Sequence, residues 1–424
     1  MKKLVLSTTI LILLFFLGCQ NTATDEPIVP TKTSFKLTFT NGRVRGQGYA
    51  ILHRADGKDT VVVKSYSDNS TVDFGSFTEN IVSFTYIDVY TDNGKKYIQI
   101  TSNIDAPSGE WKLDGNHYGY KGKMTVTMNF PNLNFNSTNI GAVGTGFGMG
   151  YSNLQNRTSE KRLYLPIYRL NSDNTINIFG SVLNAAGDSA YCGWITNQSF
   201  KMNDTTNAYS LNLTKQMDAK FVSLNRSVRS LWVGSIVNNE ADIVYNAFSY
   251  FGSSVQTSSP KVFYSAEFPK DKYYVSFSNS DSIGSYYYYV LNPNIPASVS
   301  IPTSTITGNY NSSLNKYENI STIGTVDQIG AYWQYTSSDN KLGINWLVYK
   351  TGTAKEIIRP TLPQEILTQI PELNISLLQP SSLGLYDYDT ASSMEEIINM
   401  FFKTASPYYS KYNSYYSYTR LIKN

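Results

Sequence analysis

The chain has 424 residues, 35 Lys+Arg against 32 Asp+Glu, and only 16% charged residues. Ser (49), Thr (38), Asn (39) and Tyr (34) dominate it, which makes it polar, weakly charged and aromatic-rich. At 41% hydrophobic it is too apolar for a disordered chain, and a mean hydropathy of −0.28 with one long apolar run excludes a polytopic membrane protein. Basic residues cluster only in short pairs such as Lys95-Lys96 and Lys161-Arg162, so no nucleic-acid partner is expected.

The first elements in chain order form an address. Lys2 and Lys3 precede an apolar stretch from Leu4 to Leu17, which ends at Gly18-Cys19. A helix needs roughly 20 apolar residues to cross a bilayer, so this stretch has the length of a signal-peptide hydrophobic region rather than a span. Its end resembles the lipobox of bacterial lipoprotein precursors, in which a peptidase cleaves before the cysteine and the thiol carries a diacylglycerol. Gly18 and Cys19 match that pattern; Phe16 stands where Leu is usual and Leu17 where a small residue is usual. The resemblance, to exported lipoproteins of the Bacteroidota kind, implies a signal peptide over 1–18 and lipidation of Cys19. It also implies a place in the bacterial cell envelope, anchored to the outer membrane on its periplasmic or exposed side. Loss of Lys2 and Lys3 leaves 33 basic against 32 acidic residues. Cys192 would then be the sole thiol of the mature chain, and AYCGWI reads as the setting of a small buried hydrophobe.

Residues 19–33, with two prolines and no apolar periodicity, read as a lipidated N-terminus and tether. Alternation then begins. Phe35, Leu37 and Phe39 alternate with polar residues, QGYAILHR and TVVVKSY flank Asp56-Gly57, and IVSFTYIDVYT meets KKYIQITS across Asp92-Asn93-Gly94, the strongest hairpin signal in the chain. With GEWKL this makes six or seven strands over 34–114, expected to form a small β-sandwich of immunoglobulin or transthyretin-like type.

A Gly/Asn-rich connection is expected over 115–150, and then a larger, irregular β-sandwich region over 151–358, since no fixed-period repeat marks a propeller. The texture changes in the C-terminal segment 359–424. PQEILTQI places Pro363 where a first helical turn accepts it, and Ser392-Ser393 ahead of Glu395-Glu396 form a capping box for a short helix near 394–403. The fold class expected is therefore mainly β, with a short C-terminal helix.

Catalytic chemistry finds little support. His53 and His117 are the only histidines, which rules out His-based zinc sites within the chain, and no metal or cofactor is expected. His53, Asp188 and Ser189 occur in triad order without the flanks of any hydrolase. Glu110 beside Trp111 suits one acid of a glycosidase, but no second acid is singled out. The aromatic residues remain as candidates for flat platforms that stack on sugar rings. Trp333 and Trp346 share strand faces with aliphatic residues and read as core, whereas Trp111, Trp194, Tyr286 and Tyr288 are the candidate ligand-binding residues. The expectation is a non-catalytic, lipid-anchored module that binds a glycan or an envelope-protein partner. The alternatives are a structural or adhesion β module, or an exported glycoside hydrolase.

Overall fold

The computed structural model describes residues 33–422 apart from 41–45, 55–56, 58–59, 78–79, 115–121, 131–139, 146–147, 154–159, 168–173, 185–187, 203–206, 237–242, 250–256, 281, 392–395 and 398–412. Cys19 and its signal segment lie outside the described residues, and so does most of the helix expected near 394–403, of which Glu396 and Ile397 are described and helical.

The protein is mainly β. Its first seven strands are β1 (Thr33–Thr40), β2 (Gln47–His53), β3 (Thr60–Tyr66), β4 (Ser70–Phe77), β5 (Ile81–Asp92), β6 (Lys95–Pro107) and β7 (Gly109–Asp114). Then come β8 (Gly122–Asn129), β9 (Ile140–Thr145), β10 (Gly148–Asn153), β11 (Glu160–Ile167), β12 (Thr175–Leu183), β13 (Ala190–Ser199), β14 (Asn207–Asn212) and β15 (Lys215–Gln216). Next are β16 (Asp218–Phe221), β17 (Ser223–Leu224), β18 (Ser230–Ile236), β19 (Ile243–Ser249), β20 (Lys261–Tyr264), β21 (Lys272–Ser280), β22 (Gly284–Asn292) and β23 (Ser298–Val299). The last are β24 (Thr305–Asn311), β25 (Lys316–Ile323), β26 (Gln328–Thr336), β27 (Leu342–Thr351), β28 (Ile357–Ile358), β29 (Gln379–Tyr388) and β30 (Ser414–Leu421). One short helix, α1 (Gln364–Gln369), follows Pro363 as the sequence suggests.

Alternation in the first strands does what it should. Phe35, Leu37 and Phe39 are fully buried on one face of the sheet β4-β1-β7, and meet Leu52, Phe84 and Trp111 in a compact core. The β5–β6 hairpin closes through Asn93 and Gly94, both with positive φ (49° and 76°), the backbone that an Asn-Gly turn supplies. A seven-stranded sandwich over 33–114 is thus present.

It is not, however, a separate body. The sheet facing β4-β1-β7 continues without a break, in the order β19-β18-β21-β22-β30-β29-β26-β27-β6-β5-β2-β3. The join is the parallel pairing of β6 with β27, in register from Leu342↔Lys96 to Tyr349↔Asn103. Strands from both expected segments, 34–114 and 151–358, therefore share one sheet. The reason is visible in β2, which is buried on both faces: Ala50 and Leu52 enter the sandwich core, while Tyr49 and Ile51 enter the main core with Trp333 and Trp346. A strand with both faces apolar needs a layer on each side.

Two further expectations change. The 115–150 connection supplies β8, β9 and β10, and β8 lies between β11 and β14 in a sheet packed through Met124, Val126 and Met128 against Ile176 and Ile178 of β12. The C-terminal segment 359–424 adds more than a helix, because β29 and β30 are interior strands of the twelve-stranded sheet.

A buried polar relay crosses the join. His53 Nε2 lies 3.0 Å from Thr85 Oγ1, Thr85 Oγ1 lies 2.8 Å from Ser102 Oγ, and Trp346 Nε1 donates to Ser102 Oγ at 2.9 Å. The four residues, each at most 1% exposed, sit on four neighbouring strands and link the N-terminal sandwich to β27. Burial holds the His53 imidazole neutral, with its pKa lowered to about 4.

Candidate functional site

The four aromatic candidates do not assemble into one surface. Trp111 is 0% exposed: its indole packs edge-on against Phe84 at 4.7 Å and donates from Nε1 to the Pro107 carbonyl at 3.1 Å. Glu110, one residue earlier on the strand, faces solvent on the opposite side. Tyr286 and Tyr288 are 5% and 9% exposed and belong to the main core. Tyr286 donates to the Ser227 carbonyl at 2.6 Å, and the Arg226 guanidinium lies 3.8 Å over its ring; burial pushes its phenol up to about 12.

Trp194 is half-buried, and its ring is engaged by neighbours. Phe179 stacks at 6.3 Å and 6°, Phe268 meets it edge-on at 5.7 Å, and the Lys215 ammonium sits 4.3 Å from the ring centroid. The platform expectation for Trp111, Tyr286 and Tyr288 is therefore corrected: strand parity turned these rings inward, where Trp111 and Tyr286 bond to backbone carbonyls. Trp333 and Trp346 are core as expected, at 0% and 1% exposure. Cys192 is also fully buried, and burial raises its thiol to about 11, which leaves it unreactive.

Among the described residues a groove of about 780 Å3 lies at the end of the large sheet. Its floor is the face of β2 and β3 that carries Gln47, Tyr49, Val63 and Ser65, and its wall is α1 with Glu365 and Gln369. The elements follow from sequence. Ile366 of α1 is fully buried in the main core, so the helix docks by that side and turns Glu365 and Gln369 outward. Gln47 Nε2 donates to the Tyr49 hydroxyl, and Gln369 Nε2 donates to Glu365 Oε1 at 3.2 Å. Lys64 borders the groove too, yet its ammonium donates to the Asp73 carbonyl of β4, across the sandwich. Glu365 is thus the groove's available charge, among amides and hydroxyls.

Sequence reasoning missed all of these residues. Gln47, Ser65, Glu365 and Gln369 are ordinary surface types, and nothing in their spacing shows that a helix some three hundred residues downstream of β2 will wall the strand. Among the described residues no group of three or more His, Cys, Asp or Glu comes together.

No protein-family model matches the chain, and no curated protein matches it. Solved structures aligned with it include four-immunoglobulin-domain N-terminal fragments of Dscam1. Isoform 7.44 aligns at 7% identity over 84% of this chain and 94% of that chain, with a TM-score of 0.14. Isoform 6.9 aligns at 8% identity over the same shares, with a TM-score of 0.15. Likeness at that level carries no argument beyond what the strands themselves show.

Proposed function

We propose that the chain is a lipid-anchored protein of the bacterial cell envelope whose β body is a non-catalytic binding module, with the β2–β3/α1 groove as its contact for a neutral, hydroxyl-rich ligand such as a glycan. The observation that carries the binding reading is the groove lining. Gln47, Ser65, Gln369 and the Tyr49 hydroxyl offer donors and acceptors suited to exchange with hydroxyls, and the single carboxylate of Glu365 can accept from two neighbouring hydroxyls. The anchor reading rests on the lysines, the apolar stretch and Gly18-Cys19.

Two experiments test it separately. Cys19→Ala is expected to release the protein from the membrane fraction; retention of the variant there, with no acyl adduct on the wild-type intact mass, defeats the anchor. A glycan array with calorimetry on hits is expected to find ligands whose affinity is insensitive to salt and falls in Glu365→Gln and Gln369→Ala. Absence of any neutral-glycan binding leaves the second reading, a structural or adhesion module. That reading is favoured by the commitment of the aromatic rings to the interior and by the one sheet that runs from β3 to β19.

A further inference from the structure

The polar relay that crosses the join has a direction, and one residue sets it. The Trp346 indole N–H can only donate, and it donates to Ser102 Oγ at 2.9 Å. Among the described residues the Ser102 hydroxyl has one other partner, Thr85 Oγ1 at 2.8 Å, and Thr85 Oγ1 has one beyond that, His53 Nε2 at 3.0 Å. Each hydroxyl has a single hydrogen to give. With the Trp346 end filled by a donor, Ser102 gives its hydrogen to Thr85, Thr85 gives its own to His53, and Nε2 accepts.

The reverse direction is poorer. With the hydrogen on Nε2, Thr85 would turn its hydroxyl to Ser102, whose oxygen would face two donors while its own hydrogen had no acceptor. His53 Nδ1 is buried without a partner in either case, so the reverse order orphans two groups and the forward order one.

We propose that the relay is a one-way latch between the N-terminal sandwich and β27: neutral His53, with its hydrogen on Nδ1, closes it as the final acceptor, and a proton on Nε2 opens it. An imidazolium donates from both nitrogens, so Thr85 loses its acceptor and turns back on Ser102, where the indole already donates. The four residues stand on β2, β5, β6 and β27, so the reversal is felt where β6 meets β27. Among the described residues no charged side chain bonds to the imidazole. On the relay's face of the sheet stand the Asp105–Lys350 pair, 3.4 Å apart, and Arg359, 5.6 Å from the Trp346 ring. On the sandwich face Lys64 of β3 donates to the Asp73 carbonyl and Asp88 of β5 accepts from the Tyr66 hydroxyl. Glu365 of α1 lines the groove, Arg54 is exposed at the end of β2, and Asp56, Lys58 and Asp59 of the β2–β3 turn lie outside the described residues. Burial keeps the imidazole neutral, and the relay stays closed until pH falls through about 4.

His53 and His117 are the only histidines, so isotope labelling of histidine nitrogens in the full chain gives two imidazoles to follow by NMR, and His117→Gln assigns them. At neutral pH His53 is expected to show the Nδ1–H tautomer. Thr85→Val removes the donor to Nε2 and is expected to raise the His53 pKa from about 4 toward 6.5. The reverse direction gives the opposite sign, since Thr85 would then accept from the imidazole and hold its proton. In the wild type the indole N–H signal of Trp346, assigned with Trp346→Phe, is expected to move with the midpoint of His53, and Ser102→Ala to uncouple the two. An Nε2–H tautomer, a lowered pKa in Thr85→Val, or an indole signal indifferent to the His53 titration each overturns the proposal. The tautomer is read on the folded wild type, so it decides even where a variant fails to fold. These outcomes are independent of the lipid anchor and of whether any glycan enters the groove.

Discussion

The large sheet is built by two different chemistries at its two ends. From β3 to β6 the strands are joined by hairpins close in sequence, and both faces are filled with aliphatic and phenylalanine side chains such as Ile51, Ile87, Ile98, Leu52 and Phe84. Around β22, β30 and β29 the neighbours are far apart in the chain, and tyrosine takes over: Tyr286, Tyr288 and Tyr416 on one face, Tyr287, Tyr289 and Tyr415 on the other. The covering layers explain the difference. The sandwich end is covered on one face by another sheet, whose backbone is already bonded. Loops cover the tyrosine end, and their carbonyls need donors: Tyr286 donates to Ser227, Tyr416 to Ser304 at 3.0 Å, and the nearby Tyr273 to Ser265 at 2.9 Å. A tyrosine contributes nearly the apolar area of phenylalanine and also satisfies a carbonyl that burial would otherwise orphan. At Tyr273, Tyr286 and Tyr416 the choice of tyrosine is thus a consequence of packing a sheet against irregular chain.

The contrast can be broken most forcefully at the join. Trp346→Ala removes a 1%-exposed ring from the main core together with the donor to Ser102, and is expected to cost about 3–5 kcal/mol in denaturant titrations. If the two ends form one cooperative unit, amides of β1 and of β29 lose protection together. Separate loss would show that the sandwich stands alone.

Acid sharpens the comparison next. His53 has its folded pKa lowered to about 4 from 6.5, so between those values the unfolded chain holds a proton that the folded chain refuses. Stability is then full above about pH 6.5 and falls on acidification, by about 2 kcal/mol between pH 7 and pH 5 for this group. Asp327, in the tyrosine-rich half, has the opposite sign: burial raises its carboxyl to about 6 from 3.8, so acidification favours the folded state there. Asp327→Asn is expected to steepen the acid loss seen in urea titrations. A slope unchanged by that substitution, or abolished by it, contradicts the assignment.

Hydroxyl deletions come third. Tyr286→Phe and Tyr416→Phe each leave a loop carbonyl without its donor, and are expected to cost about 1–3 kcal/mol by thermal or chemical denaturation. Costs near zero for both would remove the account of tyrosine given above. The smallest effect belongs to the exposed pair of Lys96 with Glu372, 2.6 Å apart with side chains 36% and 44% exposed. Glu372→Gln is expected to change stability by less than about 1 kcal/mol, and less still in high salt.

Local patterns were legible in the residues and long-range ones were not. Phe35, Leu37 and Phe39, the Asp92-Asn93-Gly94 turn, the inward Trp333 and Trp346 and the short helix after Pro363 all follow from period and turn chemistry within a dozen residues. Alternation also divides Tyr286 to Tyr289 between two faces, but it cannot say what covers each face, so Tyr286 and Tyr288 looked available for a ligand and proved to be core. The parallel partner of β6 and the interior place of β30 depend on strands chosen from far along the chain, and a strand's pattern does not name its partner. The groove is illegible for the same reason, being made by β2, β3 and α1 together.

The β6–β27 pairing has a consequence for the order in which the molecule is made. Trp346 and the serine that accepts its indole proton are 244 residues apart. At about 5–20 residues per second of synthesis, the outer edge of β6 waits roughly ten seconds to a minute before its partner exists. Throughout that interval the edge that β27 will fill presents an open row of backbone donors and acceptors beside Ile98 and Ile100.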